Sequence, residues 1–542
     1  MKKKNNQFVF GQKPMAFKSR SKFDLSHQVK TMFNQGDLVP FLVQEVYPGD
    51  SFKIESTNVC RTSSPFIRPI MDNLFLDMYY FFVPNRLVYE NWQNVMGENS
   101  EDYWSVELNS YCVPVIGGSV GVGTIADYFG LPLGEITSPV NILPFRAYAK
   151  IFNDWFRDEN LQAPVLVNID DTLGSINSNE WSVNNIFGKC AKINKLHDYF
   201  TTFLPEPQKG DPVTISLGTI APVKTEVITA RYNSGSNNPI SFGPTGGFTG
   251  PLGVKTSGSN GIMSGASGSF TGTNDTLVPQ NLYADLSNVE SINVNDLRFA
   301  FQLQKMLEKD ARGGTRYVEY LQEHFGVISP DARLQRSEFL GGKRMPLNIH
   351  QVAQTSGGSG DGENALAQVG AYSLSQGKCG CNKAFVEHGF IIGVMAVRQF
   401  HTYQQGVERF WRRKSRTDYY DPVFANIGEQ PVYKTELFGL EEPDAIFGYN
   451  EAWADLRYRP SKITGALRST AEQGFDIWHL GDNYGNAPTL GDSWIKETNT
   501  YLDRTLSVPS QNVPNFVIDI YNKMSAIRVL PTYSIPGLID HN

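Results

Sequence analysis

Cysteine is scarce in this chain and follows no pattern. There are five, at positions 60, 112, 190, 379 and 381. An odd, scattered set excludes a disulfide framework and favours a reducing compartment. Cys379 and Cys381 form a lone C-x-C with His388 nearby, but a structural zinc needs four ligands, usually from two such pairs. The second pair is absent, so neither a metal ion nor any other cofactor is expected. Long apolar runs are also missing. The longest, Gly389 to Val397, is nine residues, too short to cross a bilayer and suited to a buried strand. No apolar stretch follows Lys2-Lys3-Lys4, so neither a signal peptide nor membrane insertion is read there. No H-E-x-x-H and no Walker A pattern occurs, and the eight histidines are dispersed.

Aromatic residues are plentiful: 34 Phe, 24 Tyr and 8 Trp in 542 residues. A chain this long and aromatic can bury a large core, which excludes wholesale disorder. With 49 Gly and 30 Pro, many turns and irregular connections are expected, favouring β structure over a helical bundle.

Period-2 alternation marks the strands. Leu38 to Tyr47 reads as one, followed by the turn Pro48-Gly49-Asp50 and then Phe52 and Ile54 alternating with Lys53 and Glu55. Leu74 to Val83 is apolar and aromatic, as a core strand would be, and Pro84 stops it. His388 to Gln399, the alternating stretch around Phe516, Ile518 and Ile520, and Ser525 to Tyr533 give three more. Helices are read over 145–156, where six apolar residues share a face, over 296–311 between Asn295 and Gly313-Gly314, and as a short set through Tyr317, Tyr320, Leu321 and His324. Strands at both ends with long excursions between them suit an all-β fold, an eight-stranded antiparallel jelly-roll sandwich whose long loop insertions contain short helices.

Two stretches stand apart in composition. Residues 233–274 hold 11 Gly, 8 Ser and a single charge, Lys255. Such a segment cannot form a packed core of its own and reads as the exposed tip of an insertion. A smaller Gly/Ser patch, 355–362, reads as a shorter mobile loop. Residues 1–36 read as a basic extended arm. Residues 1–30 carry eight Lys/Arg and one acid, Asp24, so the remaining residues hold 40 bases against 54 acids, a balance of −14 beneath an overall −7. A basic arm on an acidic body suits contact with a polyanion, although a solvated tail has the same composition. Candidate nucleic-acid contacts are therefore Lys2, Lys3, Lys4, Lys13, Lys18, Arg20 and Lys22 in the arm. Arg412, Arg413, Lys414 and Arg416 join them, forming with Arg409 the densest basic cluster elsewhere, set among Phe410, Trp411, Tyr419 and Tyr420. Bases for phosphate and rings for stacking are what single-stranded nucleic acid needs. Pairing with acids of a neighbouring subunit would use the same residues.

Catalytic signals are weak. Gly117-Gly118-Ser119-Val120-Gly121 matches G-x-S-x-G, but that motif needs a strand-to-helix elbow, and nothing supports alternating βα units. A dinucleotide-like match overlapping it fails for the same reason. Asp170-Asp171 and Glu441-Glu442 sit in polar, turn-like context. No catalytic residue is assigned.

Long stretches in one order carry a resemblance. They include 37–52 (DLVPFLVQEVYPGDSF), 69–92 (PIMDNLFLDMYYFFVPNRLVYENW), 144–161 (PFRAYAKIFNDWFRDENL), 197–210 (HDYFTTFLPEPQKG), most of 295–342, 423–430 (VFANIGEQ), 449–469 (YNEAWADLRYRPSKITGALRS) and 531–541 (PTYSIPGLIDH). The chain resembles the major capsid proteins of the gokushovirus group of small single-stranded DNA bacteriophages (Microviridae), departing at Glu206, where an aromatic is expected between the two prolines. The resemblance implies one jelly-roll domain, 37–542, that self-assembles into a T=1 icosahedral shell around circular single-stranded DNA. It implies assembly in the host bacterial cytoplasm, residence in the virion, and a surface-protrusion insertion, 205–294, that meets a host receptor. Phe242, Phe248, Leu252, Lys255 and Phe270 are its candidate contact residues. Minor virion proteins (internal DNA-binding, pilot and scaffolding proteins) are implied as further partners. Two other classes remain open on residues alone: a stand-alone carbohydrate- or receptor-binding β-sandwich module, and a hydrolase using Ser119.

Overall fold

The computed structural model describes residues 20–98, 111–172, 188–214, 223–225, 241–244, 252–257, 260–264, 277–279, 282–284, 294–355 and 368–533. They fall into two compact units, Met1–Lys209 with Glu308–Asn542, and Gly210–Leu307.

The larger unit is built on antiparallel sheets. Its strands are β1 (Ser21–Asp24), β2 (His27–Phe33), β3 (Val39–Val46), β4 (Ser51–Thr62), β5 (Leu74–Pro84), β6 (Glu338–Leu347), β7 (Ile349–Ala353), β8 (Val369–Ala384), β9 (Gly389–Gln399), β10 (Glu429–Tyr433), β11 (Ile446–Glu451) and β12 (Phe516–Arg528). One sheet has the order β1-β12-β4-β8-β7, with β2 also paired to β12; the other has the order β6-β5-β9-β3. Part of the stretch expected as an extended arm is therefore sheet: Ser21 to Asp24 and His27 to Phe33 both pair with β12. The segments around Phe516 and Ser525, expected as two strands, are one continuous strand ending at Arg528.

The two sheets are patterned differently. β4 alternates strictly, burying Phe52, Ile54, Ser56, Asn58, Cys60 and Thr62. β12 does the same with Phe516, Ile518, Ile520, Asn522, Met524 and Ala526. Their other side chains face solvent, as expected of an antiparallel sheet covered on one side. β9 is buried at every position except half-buried Arg398, because both faces of the sheet are covered at that strand. Helix α1 (Leu143–Ile151), running on into a π-turn at Phe152–Phe156, packs on β9 and β5. It anchors there through Phe145, Tyr148 and Ile151, and Tyr148 Oη donates to Leu38 O at 2.6 Å.

Three polar side chains inside the sandwich are linked in a line. Tyr80 Oη donates to Ser56 Oγ at 2.5 Å, and Ser56 donates to Asn522 Oδ1 at 2.5 Å. Asp77, fully buried on β5, is held by Arg344 Nε at 2.7 Å and Arg398 Nε at 2.9 Å. Cys60, Cys379 and Cys381 also lie along this sheet pair; burial pushes the Cys60 thiol up to about 12, so it packs as an inert small hydrophobe.

A second buried charge cluster ties the long connections together. His401 Nδ1 lies 2.8 Å from Asp482 Oδ1 and its Nε2 lies 3.2 Å from Glu497 Oε2. Lys195 Nζ is 3.8 Å from Asp482 and 4.0 Å from the centre of the Trp494 ring face. Gln35 donates to Glu497 at 3.1 Å. Beside it Gly36 has φ +83°, and a Cβ there would sit 2.6 Å from the Glu497 carbonyl oxygen, so only glycine fits. Burial disfavours the charged imidazole, but Asp482 and then Glu497 outweigh it and push His401 up to about 10. Asp482 is disfavoured by burial too, yet the His401 charge holds it below the usual carboxylate range.

The remaining elements match the sequence in outline. Helix α2 (Val294–Gly313) ends at Gly314, which takes φ +89° as a left-handed cap. Helix α3 (Tyr317–Phe325) follows, with His324 3.0 Å from Asp310 and stacked on Tyr320. Around Ser119 there is no elbow: Ser119–Val120 pairs with Gly134–Glu135 in a short antiparallel ribbon. Glu206 is exposed, so its departure from the expected aromatic leaves no polar group buried.

In the smaller unit the Gly/Ser-rich stretch carries structure that its composition concealed. Asn260–Ser264, Leu252–Ser257, Ser241–Pro244 and Leu277–Pro279 form a four-stranded antiparallel sheet in that order. Backbone ladders need no large side chains, so low hydrophobicity does not forbid this sheet. The patch 355–362 lies outside the described residues except for Thr355.

Two outcomes follow for the isolated chain. Ile392→Ala, in the strand buried on both faces, lowers unfolding free energy by about 2–5 kcal/mol, whereas Gln376→Ala on the solvent face of β8 changes it by no more than about 0.5 kcal/mol; urea titration reads both, and equal effects would contradict the layering. The His401 contribution is complete below the unfolded imidazole pKa of about 6.5 and is lost as pH rises toward about 10. Denaturation midpoints therefore fall across pH 6.5–10 in the natural protein, and His401→Gln flattens that fall.

Candidate nucleic-acid interface

The predicted basic cluster lies in the connection after β9, a region with its own small core. Phe200, Phe203, Tyr403, Val432, Leu437, Phe447 and Trp494 pack together there, and the β10–β11 hairpin contributes two of them. Short 3₁₀ turns at Arg409–Arg412 and Arg416–Asp418 present the bases.

Their charges are used unequally. Arg412 Nη1 donates to Thr435 Oγ1 at 2.8 Å, its Nη2 donates to the Pro443 carbonyl, and the guanidinium lies 4.5 Å from the centre of the Tyr433 ring. Arg413 is tied to Asp455, both being only 12% exposed. Lys414 and Arg416 are exposed and, among the described residues, make no ion pair. Trp411 is 70% exposed, and Tyr419 and Tyr420 are exposed with it.

Beside this cluster is a cleft of about 740 Å³. Tyr199 and Tyr458 stack within it at 4.8 Å and 5°. Phe410, Trp411, Arg409, Arg457, Arg459, Lys462 and Arg468 line it together with Glu408, Glu436 and Asp455. Burial pushes Glu436 up to about 7, against the pull of Arg409 3.9 Å away. Arg459 and Lys462 both reach Glu408. Sequence reading missed the bases at 457, 459, 462 and 468. Their signal was the alternation of Arg457, Tyr458 and Arg459 before Pro460.

The other predicted contacts are dispersed. Arg20 and Lys22 are exposed at the start of β1. Lys2, Lys3, Lys4, Lys13 and Lys18 lie outside the described residues, as do Phe248 and Phe270. Phe242, Leu252 and Lys255 lie in the sheet of the smaller unit, with Phe242 opposite Leu252 and Lys255 opposite Ile262. Among the described residues there is no cluster of His, Cys, Asp or Glu suited to a metal ion and no helix long and apolar enough to cross a membrane.

The unequal wiring predicts unequal stability effects. Arg413→Ala leaves Asp455 without its cation and costs about 1–3 kcal/mol, while Lys414→Ala and Arg416→Ala stay within about 0.5 kcal/mol. Denaturation of the three variants checks this, and a stable Arg413→Ala protein would mean that the Asp455 pair is not structural.

Known proteins give this architecture a context. The chain is 42% identical to the capsid protein VP1 of Spiroplasma virus 4 over 96% of its own length and 95% of that protein. It is 39% identical to the capsid protein VP1 of Chlamydia phage 1, covering 98% and 97%, and 37% identical to that of Bdellovibrio phage phiMH2K, covering 98% of each. These relatives are structural proteins of virions rather than enzymes. Residues 12–538 match the family model described as "Capsid protein (F protein)", and this chain belongs to that phage capsid family.

Proposed function

We propose that this chain is the major capsid protein of a gokushovirus-type phage, an eight-stranded jelly roll that closes into a T=1 icosahedral shell around circular single-stranded DNA. The observation that carries the reading is its end-to-end match to capsid proteins, with at least 95% of both chains covered in each comparison. The strand orders β2-β12-β4-β8 and β3-β9-β5-β6 support the jelly roll: four antiparallel strands in each of two sheets, with the chain passing from one sheet to the other at nearly every step. Mechanism here is assembly. Each copy contacts several neighbours through modest interfaces whose sum closes the shell, and phosphate charge is neutralised by bases on the interior. The basic N-terminal stretch, 1–36, supplies part of that charge, and the exposed Lys414 and Arg416 beside Trp411 supply more. The insertion 205–294, tipped by 233–274, is the protrusion that meets the host receptor, and minor DNA-binding, pilot and scaffolding proteins share the particle.

Electron microscopy of the purified full chain, with and without single-stranded DNA, tests this reading. Closed uniform particles holding nuclease-protected DNA are expected; a protein that stays monomeric under every assembly condition rejects it. Particles lacking 233–274 are expected to form and to adsorb poorly to the host.

A further inference from the structure

Among the described residues nothing covers the solvent face of the β1/β2-β12-β4-β8 sheet, and its charge runs against that of the body. Six bases point outward from it: Lys22, Lys30, Lys53, Arg61, Lys378 and Lys523, all exposed. Three acids share the face, Asp24, Glu55 and Asp519, leaving it at +3, whereas residues 31–542 as a whole stand at −14. Two of those acids are engaged locally. Asp519 accepts from Gln28 Nε2 at 2.7 Å on both oxygens, and Asp24 accepts from Ser26 N at 3.0 Å. Among the described residues none of the six bases makes an ion pair, while Arg344, Arg398 and Arg413 are all bound to carboxylates. Excess positive charge outside any ion pair is thus concentrated on one sheet face.

We infer that this bare sheet face is a docking surface for the packaged single-stranded DNA. The inference deepens the capsid reading and rests on it. Strands about 4.8 Å apart, with same-face residues about 6.8 Å apart along each, set each base about 8–12 Å from its nearest neighbour, close to a Debye length, so neighbouring fields add. Register places Gln28, Tyr521, Thr57 and Lys378 in one row across the sheet, giving a half-exposed ring for stacking beside a cation. A row of bases on a sheet face suits a flexible strand held by phosphate neutralisation rather than base reading. In sequence, the segment preceding β1 adds to the same sign: residues 1–19 hold five lysines and no acid.

The test uses the full chain, the triple variant Lys53→Gln/Lys378→Gln/Lys523→Gln and the charge-keeping triple Lys→Arg variant. Each is titrated with a fluorescent oligothymidylate at several NaCl concentrations, after microscopy has scored particle formation. Loss of three phosphate contacts makes the slope of log K against log[NaCl] shallower by about 2, and the Arg variant keeps the natural slope. An unchanged slope in the folded Gln variant overturns the inference. The same holds if that variant stops forming particles with its slope unchanged, which would make the face a contact between copies. A natural protein that forms particles yet binds oligothymidylate without salt dependence overturns this inference alone; one that never forms particles overturns the capsid reading as well.

Discussion

The sandwich depends on β12 reaching its slot between β2 and β4. Until Phe516–Arg528 arrives, the first sheet has no continuous ladder, and Phe52, Ile54 and Cys60 lack the lateral neighbours Ala526, Met524 and Ile518 that they meet by register. This pairing joins parts of the chain more than 450 residues apart in sequence. Loop-closure entropy grows only with the logarithm of length, about 0.6 kcal/mol per doubling. Inserting residues 85–337 between β5 and β6 therefore costs little stability, while the long-range pairing slows folding. A sandwich closed this way tolerates large excursions on its connections.

Those excursions make the two sides of the molecule chemically different. Helix α1 covers β9 and β5, and the short helix Ile125–Tyr128 packs on β3. Covering the second face is what converts β9 from an alternating pattern into a continuous apolar run. The other sheet keeps its alternation because nothing among the described residues lies over it, so its outer positions are free to carry lysine.

Much of this was legible from residue order, for local reasons. Alternation in Phe52–Cys60 and Phe516–Ala526 and the unbroken run from Gly389 reflect burial on one face or two, and periodicity reports burial directly. Other features were not legible. Ser21–Asp24 and His27–Phe33 look like a solvated tail because their outward residues are charged and their partner lies at the far end of the chain. The glycine-rich sheet was hidden because ladder hydrogen bonds leave no trace in hydrophobicity. In the basic cluster, composition could not separate Arg413, tied to Asp455, from Lys414 one residue on, since the difference lies in a carboxylate 42 positions away. The His401 cluster was illegible for the same reason: Gln35, Lys195, His401, Asp482 and Glu497 are each unremarkable alone and gain meaning only where the connections meet.

That cluster also bears on how a shell could close. Charged groups buried inside the subunit contribute little net stability unless all are paired, but they fix geometry, because any displacement strands a charge in a low-dielectric site. Asp77 between Arg344 and Arg398, and His401 between Asp482 and Glu497, each tie separate chain segments in one arrangement. Connections already ordered this way lose little further conformational entropy when copies associate, and association free energy is the surplus left after that cost. Modest interfaces then suffice, provided each subunit arrives with its loops set. The internal ion pairs are thus better understood as preparing the surfaces for contact than as strengthening the core.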